Sequence, residues 1–137
     1  MQKILLLFSI VVFTTACSKK ISFRPSSIVP AASGNVNISR DQNDNYDIRL
    51  QVDNLASPER LASSRDMYVV WMETEDTRTK NLGRLSSSKR LFSDAWRGEL
   101  ETVTPEKPVR VFITSEDTVT PRYPGRTVMT TETFDVD

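Results

Sequence analysis

Two groups of carboxylates have the residue types that acid–base hydrolysis requires. Glu73, Glu75 and Asp76 follow one apolar stretch, and Glu116 and Asp117 follow another. Two carboxyl groups about 5–9.5 Å apart can cleave a glycosidic bond, one as the acid and the other as base or nucleophile. Acidic residues in loops between strands are usually solvated, and nothing in the sequence shows that the two groups converge. We therefore rank a hydrolase below a non-catalytic binding protein.

Residues 41–45, with the sequence "DQNDN", carry side-chain oxygens at the first, third and fifth positions of a calcium-binding loop. The position that requires glycine is Tyr46, and the closing bidentate position is Val52. The match therefore fails at its two most discriminating positions. Asn and Asp also favour β-turns, so we expect a turn between two strands and no metal site.

The composition removes several other classes of chemistry. The 137 residues include no histidine and one cysteine, Cys17. Serine–histidine relays, cysteine–histidine pairs, Cys/His zinc sites and intramolecular disulfides are therefore excluded. The 18 basic and 18 acidic residues are well mixed and form no basic stripe that would neutralise phosphates. We expect neither nucleic-acid binding nor a cofactor.

Cys17 stands at the end of an N-terminal leader. Lys3 precedes an apolar segment, residues 4–13, and the small residues Thr14, Thr15 and Ala16 come directly before the cysteine. This organisation is that of a secretory signal peptide, and the segment is shorter than the roughly 20 apolar residues of a membrane span. A cysteine after such residues resembles the lipobox of bacterial lipoproteins, although Thr14 stands where leucine is usual.

The lipobox resemblance implies that residues 1–16 are removed as a lipoprotein signal peptide and that Cys17 receives the acyl chains of a membrane anchor. The alternative is an ordinary secretory peptide that leaves Cys17 as a free thiol. Ser18 follows the cysteine, which resembles outer-membrane sorting, and Lys19 and Lys20 replace the acidic cluster of some surface-exported lipoproteins. We expect a lipid-anchored protein of the bacterial cell envelope, in the outer membrane and facing the periplasm.

The remaining chain is predicted to be a tether followed by one β-domain. Residues 18–33 are rich in Ser and Pro and lack periodicity, so we interpret residues 17–33 as the lipidated cysteine and a flexible tether. Residues 57–60 are the only helix-like piece. Period-two alternation or β-rich composition predicts strands at residues 35–40, 46–53, 67–74, 81–86, 97–103, 109–115 and 126–134.

About seven short strands predict that residues 34–137 are all-β, as an immunoglobulin-like two-sheet sandwich of antiparallel strands. The apolar run at residues 68–72 is typical of a central strand covered on both faces. Trp71, in that run, is therefore predicted to be a core residue.

Two longer stretches are similar to a known family. They are "YVVWMETEDTRTKNLGRL", residues 68–85, and "GELETVTPEKPVRVFITSED", residues 98–117. Their Tyr-x-x-Trp strand, Asn-Leu-Gly return strand, Thr-Pro turn and final Thr-x-Glu resemble the extracytoplasmic β-domain of anti-sigma-K-type factors over residues 45–133. The resemblance implies an immunoglobulin-like sandwich in the periplasm and brings no catalytic residues. Family members also carry a sigma-binding domain and a membrane span, so we expect this chain not to hold a sigma factor.

Three residues are candidate contacts for a partner. Trp96 offers a ring for stacking or packing, and its alternative role is to close one edge of the sandwich. Arg122 and Tyr123 lie between two prolines in the loop predicted at residues 116–125. Proline reduces the backbone entropy lost on binding, and Arg and Tyr are enriched at binding hot spots. The alternative is a plain connection with Tyr123 lying on its own sheet.

The sequence thus favours a membrane-anchored envelope lipoprotein that acts as a protein-interaction module, either a sensor or an assembly subunit, with an unknown envelope protein as partner. The alternative is a carbohydrate- or peptidoglycan-binding module that uses Trp96 and Tyr123. A hydrolase built on the loop carboxylates ranks third, and no residue is assigned a catalytic role.

Overall fold

The computed structural model describes residues 17–57, 67–89 and 95–137. Within these ranges the chain forms β-strands and no helix, so none of the described residues belongs to a helix that could cross a membrane. Residues 58–60 of the predicted helix-like piece lie outside the described residues. The strands are β1 Ser18–Ser22, β2 Ser33–Arg40, β3 Tyr46–Leu55, β4 Met67–Thr74, β5 Thr79–Arg84, β6 Ser86–Lys89, β7 Trp96–Thr104, β8 Pro108–Glu116 and β9 Arg126–Thr130.

These strands pair into two antiparallel sheets. One has five strands in the order β1-β2-β3-β7-β6, and the other has four in the order β5-β4-β8-β9. The all-β, two-sheet prediction is confirmed, with nine strands in the described residues where the sequence predicted about seven. The immunoglobulin-like subtype stays a prediction.

The main core lies between the two sheets and follows from the alternation in the sequence. In β3, Ile48, Leu50 and Val52 are buried, whereas Arg49 and Gln51 between them are exposed. Successive side chains of a strand point to opposite faces, so one face of the five-stranded sheet is apolar and the other polar. The facing sheet supplies Tyr68, Val70, Met72, Val111, Ile113 and Val128 to the same cluster.

The predicted strand at residues 81–86 is in fact two strands that belong to different sheets. β5 pairs with β4, and β6 pairs with β7. Leu85 lies at the crossing: its side chain is buried, and its N–H donates to the Tyr68 carbonyl at 2.9 Å. Gly98 on β7 leaves room for it, because a Cβ there would lie 2.4 Å from Leu85 Cδ2. The crossing joins the edges of the two sheets on this side.

The structure differs most from the sequence prediction at residues 18–33. Instead of a flexible tether, β1 pairs with β2 over its whole length, from Ser18 with Ser39 to Ser22 with Asn35. Phe23 follows directly and is only 8% exposed in the main core. The composition of this segment suggested a tether because Ser and Pro outnumber its apolar residues. The pairing of residues 18–22 with residues 35–39 cannot be recognised from the composition of the segment alone.

The same N-terminal segment also contacts the opposite sheet. Phe23 forms a bridge with Thr131, and the Arg24 N–H donates to the Thr130 carbonyl at 2.9 Å. The Ser26 hydroxyl donates to the Val128 carbonyl at 2.5 Å. Residues 18–26 therefore pair with β2 on one side and with the end of the chain on the other. They cover the outer edge of β2 and bridge the chain just after β9, both of which would otherwise be open.

Phe23→Ala tests the role of this segment. If residues 17–33 were a flexible tether, the substitution would leave stability unchanged. Because Phe23 is buried, we expect a loss of about 3–5 kcal/mol in the free energy of unfolding, measured by chemical denaturation.

Arg24→Ala is the matched control. Its side chain is exposed and forms a surface ion pair with Glu132, worth roughly 0–1 kcal/mol. Equal midpoints for the Phe23 variant and this control would contradict the structural role of the segment.

Candidate functional site

The two ends of the sandwich carry different features. Cys17 lies at one end of the sandwich, because the next residue, Ser18, pairs with Ser39 near the last residue of β2. The β2–β3, β4–β5 and β7–β8 turns lie at the same end of the sandwich. We call it the cysteine end. The opposite end, where β8 ends at Glu116 and pairs with Met67, carries the loop of residues 117–125. We call it the loop end. β3 has ten residues, so the two ends lie about 30 Å apart.

Arg122 and Tyr123 both lie exposed in the loop of residues 117–125. The Tyr123 side chain is 75% exposed, so its ring does not lie on its own sheet. The structure therefore differs from the alternative in which Tyr123 lies on its own sheet, and contact of this pair with a partner stays a prediction. Proline on each side of the pair restricts the backbone that carries them.

A buried carboxylate joins the two ends of this loop. Glu116, the last residue of β8, is only 5% exposed. Its Oε1 accepts hydrogen bonds from the Gly125 N–H at 2.6 Å and from the Thr114 hydroxyl at 2.6 Å. Thr114 in turn accepts a hydrogen bond from the Trp71 indole N–H at 2.8 Å. The loop therefore rests on a chain of buried hydrogen bonds that begins at Trp71.

The loop also reaches back over the four-stranded sheet. Asn81 on β5 donates from its side-chain amide to the Val119 carbonyl at 3.0 Å. This contact lies two strand spacings across the sheet from β8, where the loop begins, and four residues along the strands from Glu116, so it is roughly 16 Å from the loop base. Asn81 pairs directly with Trp71, and the two side chains share the outer face of the sheet. The loop is thus held at Val119, its third residue, as well as at its ends.

Trp71 belongs to a second apolar cluster on the outer face of the four-stranded sheet. With Val69 and Phe112 it is buried apart from the main core. The Trp71 and Phe112 rings are stacked with centroids 6.4 Å apart, and the Arg110 guanidinium lies 5.1 Å from the Phe112 ring centre. The prediction that Trp71 is buried is confirmed. Its place on the outer face of the four-stranded sheet differs from the predicted core position.

The sequence interpretation missed this support. Thr114 and Glu116 are two residues apart on a strand, so they share a face, and the spacing Thr-x-Glu at the end of an apolar strand was visible. The sequence did not show that Trp71, on another strand, donates a hydrogen bond to Thr114. Only the register of β4 against β8 brings Trp71 beside them.

Trp96 lies at the loop end but faces the interior. It begins β7, pairs with Leu55, and packs half-buried against the main core. This place matches the alternative interpretation, in which the tryptophan closes one edge of the sandwich. The structure gives it no position as an open platform beside Tyr123.

The two groups of carboxylates are not brought together. Glu73 lies six residues along β4 from Met67, the partner of Glu116, so the two carboxylates are separated by about 20 Å. Glu73 forms an ion pair with Arg110 at 2.6 Å, and Asp76 accepts hydrogen bonds from Thr74 and Arg78 in the β4–β5 turn. This separation is far beyond the range of about 5–9.5 Å that glycoside hydrolysis requires.

Residues 41–45 form the turn that the sequence predicts. Asp41 Oδ1 accepts from the backbone N–H groups of Asn43 and Asn45 at 2.8 and 2.9 Å, and these bonds lower the pKa of Asp41. Its carboxylate is therefore occupied by the turn's own backbone. Across the described ranges, no three or more carboxylate or thiol groups are arranged to hold a metal ion.

Ion pairs fix the chain terminus and the β7–β8 turn at the cysteine end. Lys107 forms ion pairs with Asp137, with Asp135 at 2.9 Å and with Glu75 at 3.3 Å, and the aspartates raise the pKa of Lys107. The neighbouring Glu106 accepts from Lys80 at 2.6 Å and from the Thr104 hydroxyl. These two bonds lower the pKa of Glu106 to about 2.

Comparison with known proteins finds no relative of this chain. The chain matches no protein-family model, no curated protein and no solved structure. The resemblance to anti-sigma-K-type factors stays a prediction.

Glu116→Ala tests whether the buried carboxylate positions the loop. The variant removes the acceptor for Thr114 and Gly125, so we expect the free energy of unfolding to fall by about 1–3 kcal/mol. The loop should also open more often. We therefore expect trypsin to cleave after Arg122 at a faster rate under native conditions.

Glu116→Gln is the matched control, because its amide oxygen can accept both hydrogen bonds. We expect its rate of cleavage after Arg122 to stay near that of wild type. Cleavage after Arg49, in the middle of β3, reports global unfolding and is measured in the same digest. Equal loop cleavage in the Ala and Gln variants would show that Glu116 does not position the loop.

Proposed function

We propose that this protein is a lipid-anchored protein of the bacterial cell envelope that binds another envelope protein through the loop of residues 117–125. The observation that carries the proposal is the exposed pair Arg122 and Tyr123, on a loop held at its base by buried Glu116. Tyr and Arg are enriched among residues that dominate binding energy. A loop already ordered in the free protein loses less entropy when it binds.

A protein partner fits the loop better than a glycan does. Glycan-binding surfaces use exposed aromatic rings, and the sequence offered Trp96 and Tyr123 for that purpose. In the described part of the chain, Tyr123 is the exposed large aromatic side chain, whereas Trp96 packs against the core. One exposed ring beside a guanidinium suits insertion into a recess on a protein.

The strand order supports the immunoglobulin-like subtype as part of this proposal. Strands β2-β3-β7-β6 facing β5-β4-β8-β9 have the order A-B-E-D facing C′-C-F-G of an immunoglobulin-like sandwich. In that order, the loop between β8 and β9 is the F–G loop. Immunoglobulin variable domains use the same loop to contact antigen.

The place of Cys17 supports a fixed distance between membrane and loop. β1 begins at Ser18, so an acylated Cys17 would join the membrane to the sandwich without an intervening spacer. The loop end would then stand about 30 Å above the lipid surface. We propose that the partner is contacted at this height, in the periplasm next to the outer membrane.

Cys17→Ser tests the anchor. Without the thiol no acyl chain can be attached, and we expect the protein to move from the membrane fraction to the soluble fraction of lysed cells. The variant should still fold, because Cys17 is exposed and precedes the first strand. Retention of the variant on membranes after a high-salt wash would contradict the anchor.

The double variant Arg122→Ala/Tyr123→Ala tests the binding loop. We expect crosslinking in intact cells to lose the adducts that the wild-type protein forms with envelope proteins. Loss of a hot-spot pair typically weakens binding by 2 kcal/mol or more, roughly 30-fold.

Arg49→Ala/Val103→Ala is the matched control. It removes one exposed cation and one exposed apolar side chain from the outer face of the five-stranded sheet. Both variants are first checked for unchanged melting. If the loop variant forms the same adducts as the control in equal yield, the loop is not the binding site.

A further inference from the structure

A cavity of about 450 Å³ lies at the cysteine end, with Cys17 among the residues that line it. Ile38, Tyr46 and Val136 supply apolar side chains to its wall. Ile38 and Tyr46 belong to the main core, and Val136 in the C-terminal segment packs against that core. The cavity therefore lies where the seam between β1 and the end of the chain meets the interior of the sandwich.

The chemistry of this cavity suits a hydrocarbon chain. A cavity of about 150 Å³ with aliphatic and aromatic walls stays dry and binds benzene. At the same packing, three times that volume holds roughly 18 carbon atoms, the size of a long saturated acyl chain. The two serines among the lining residues, Ser18 and Ser39, lie on the paired strands β1 and β2 beside Cys17.

The rim of the cavity is charged. Lys19 and Arg40 lie among its lining residues, together with Asp137. The Arg40 guanidinium lies 5.1 Å from the centre of the Tyr46 ring, and the Lys19 ammonium donates to the Asp135 carbonyl. An apolar interior with cationic groups at the mouth matches the order of groups in a membrane lipid, whose chain is apolar and whose polar groups stand at one end.

We propose that this cavity is an acyl-chain site and that its occupant is one of the chains carried by Cys17 itself. The inference rests on the proposed acylation of Cys17 and goes beyond it, since an anchor alone needs no site in the protein. Cys17 and the cavity wall are adjacent, so a chain attached at the thiol or the new amine enters without a linker. One chain in the protein and the others in the bilayer would fix the tilt of the sandwich relative to the membrane.

The test uses the full chain in cells fed a palmitate analogue that carries a diazirine. Incorporation at Cys17 is measured by mass spectrometry of the N-terminal peptide, and ultraviolet light then joins the diazirine carbon to whatever it touches. We expect intramolecular crosslinks to peptides that contain Ile38, Tyr46 or Val136. Val136→Trp, which fills the cavity, should lower their yield at least fivefold.

Val103→Trp is the matched control, because it adds the same ring at an exposed valine on the outer face of β7. Its crosslinks should equal those of wild type, and both variants are checked for unchanged melting. Labelled Cys17 without intramolecular crosslinks, or crosslinks that Val136→Trp does not reduce, would overturn the acyl-chain site and leave the anchor standing. Absence of label at Cys17 would overturn both.

Discussion

The fold depends on one constraint: the N-terminal segment pairs with both sheets at once. Ser18–Ser22 extends the five-stranded sheet, and residues 23–26 bond to the last strand of the other sheet. A sandwich of two open sheets has four exposed edges, and each unpaired edge is a site for aggregation. On the opposite side, the chain itself closes the gap where Leu85 crosses between sheets. The N-terminal segment closes the remaining seam.

This closure has a direct consequence for function. Because strand pairing begins at Ser18, the position of Cys17 is set by the fold, and so is the distance from Cys17 to the loop of residues 117–125. The loop is in turn held by buried hydrogen bonds from Trp71 through Thr114 to Glu116. Because the core between them is rigid, Cys17 and the loop cannot move relative to each other. The distance between Cys17 and the proposed binding site is therefore fixed by the fold.

The sequence predicts those parts of the fold that depend on neighbours along the chain. The alternation in β3, the doubly buried run in β4 and the Asp41 turn are all local, and the structure confirms them. Three features depend on distant partners and were not predictable. They are the pairing of residues 18–22, the change of sheet at Leu85 and the outer-face position of Trp71.

The candidate site also has features that the sequence could predict and features that it could not. Residue type and flanking prolines, which act within a few residues, marked Arg122 and Tyr123 as candidate contacts, and both are exposed in the structure. Trp96 has a residue type equally suited to contact, yet its parity on β7 turns it toward the core. The alternation of β7 does not show this from sequence, because apolar Leu100 shares the face of Trp96 whereas apolar Val103 lies on the opposite, exposed face.

Amide hydrogen exchange in the full-length protein tests most directly whether the N-terminal segment is part of the fold. The Phe23 N–H donates to the Gly34 carbonyl at 3.0 Å and the Arg24 N–H to the Thr130 carbonyl at 2.9 Å, one bond to each sheet. We predict that both amides exchange as slowly as those in the middle of β3, through global unfolding. Exchange of these two amides as fast as that of exposed Arg122 would contradict it, and residues 17–33 would then be a tether after all.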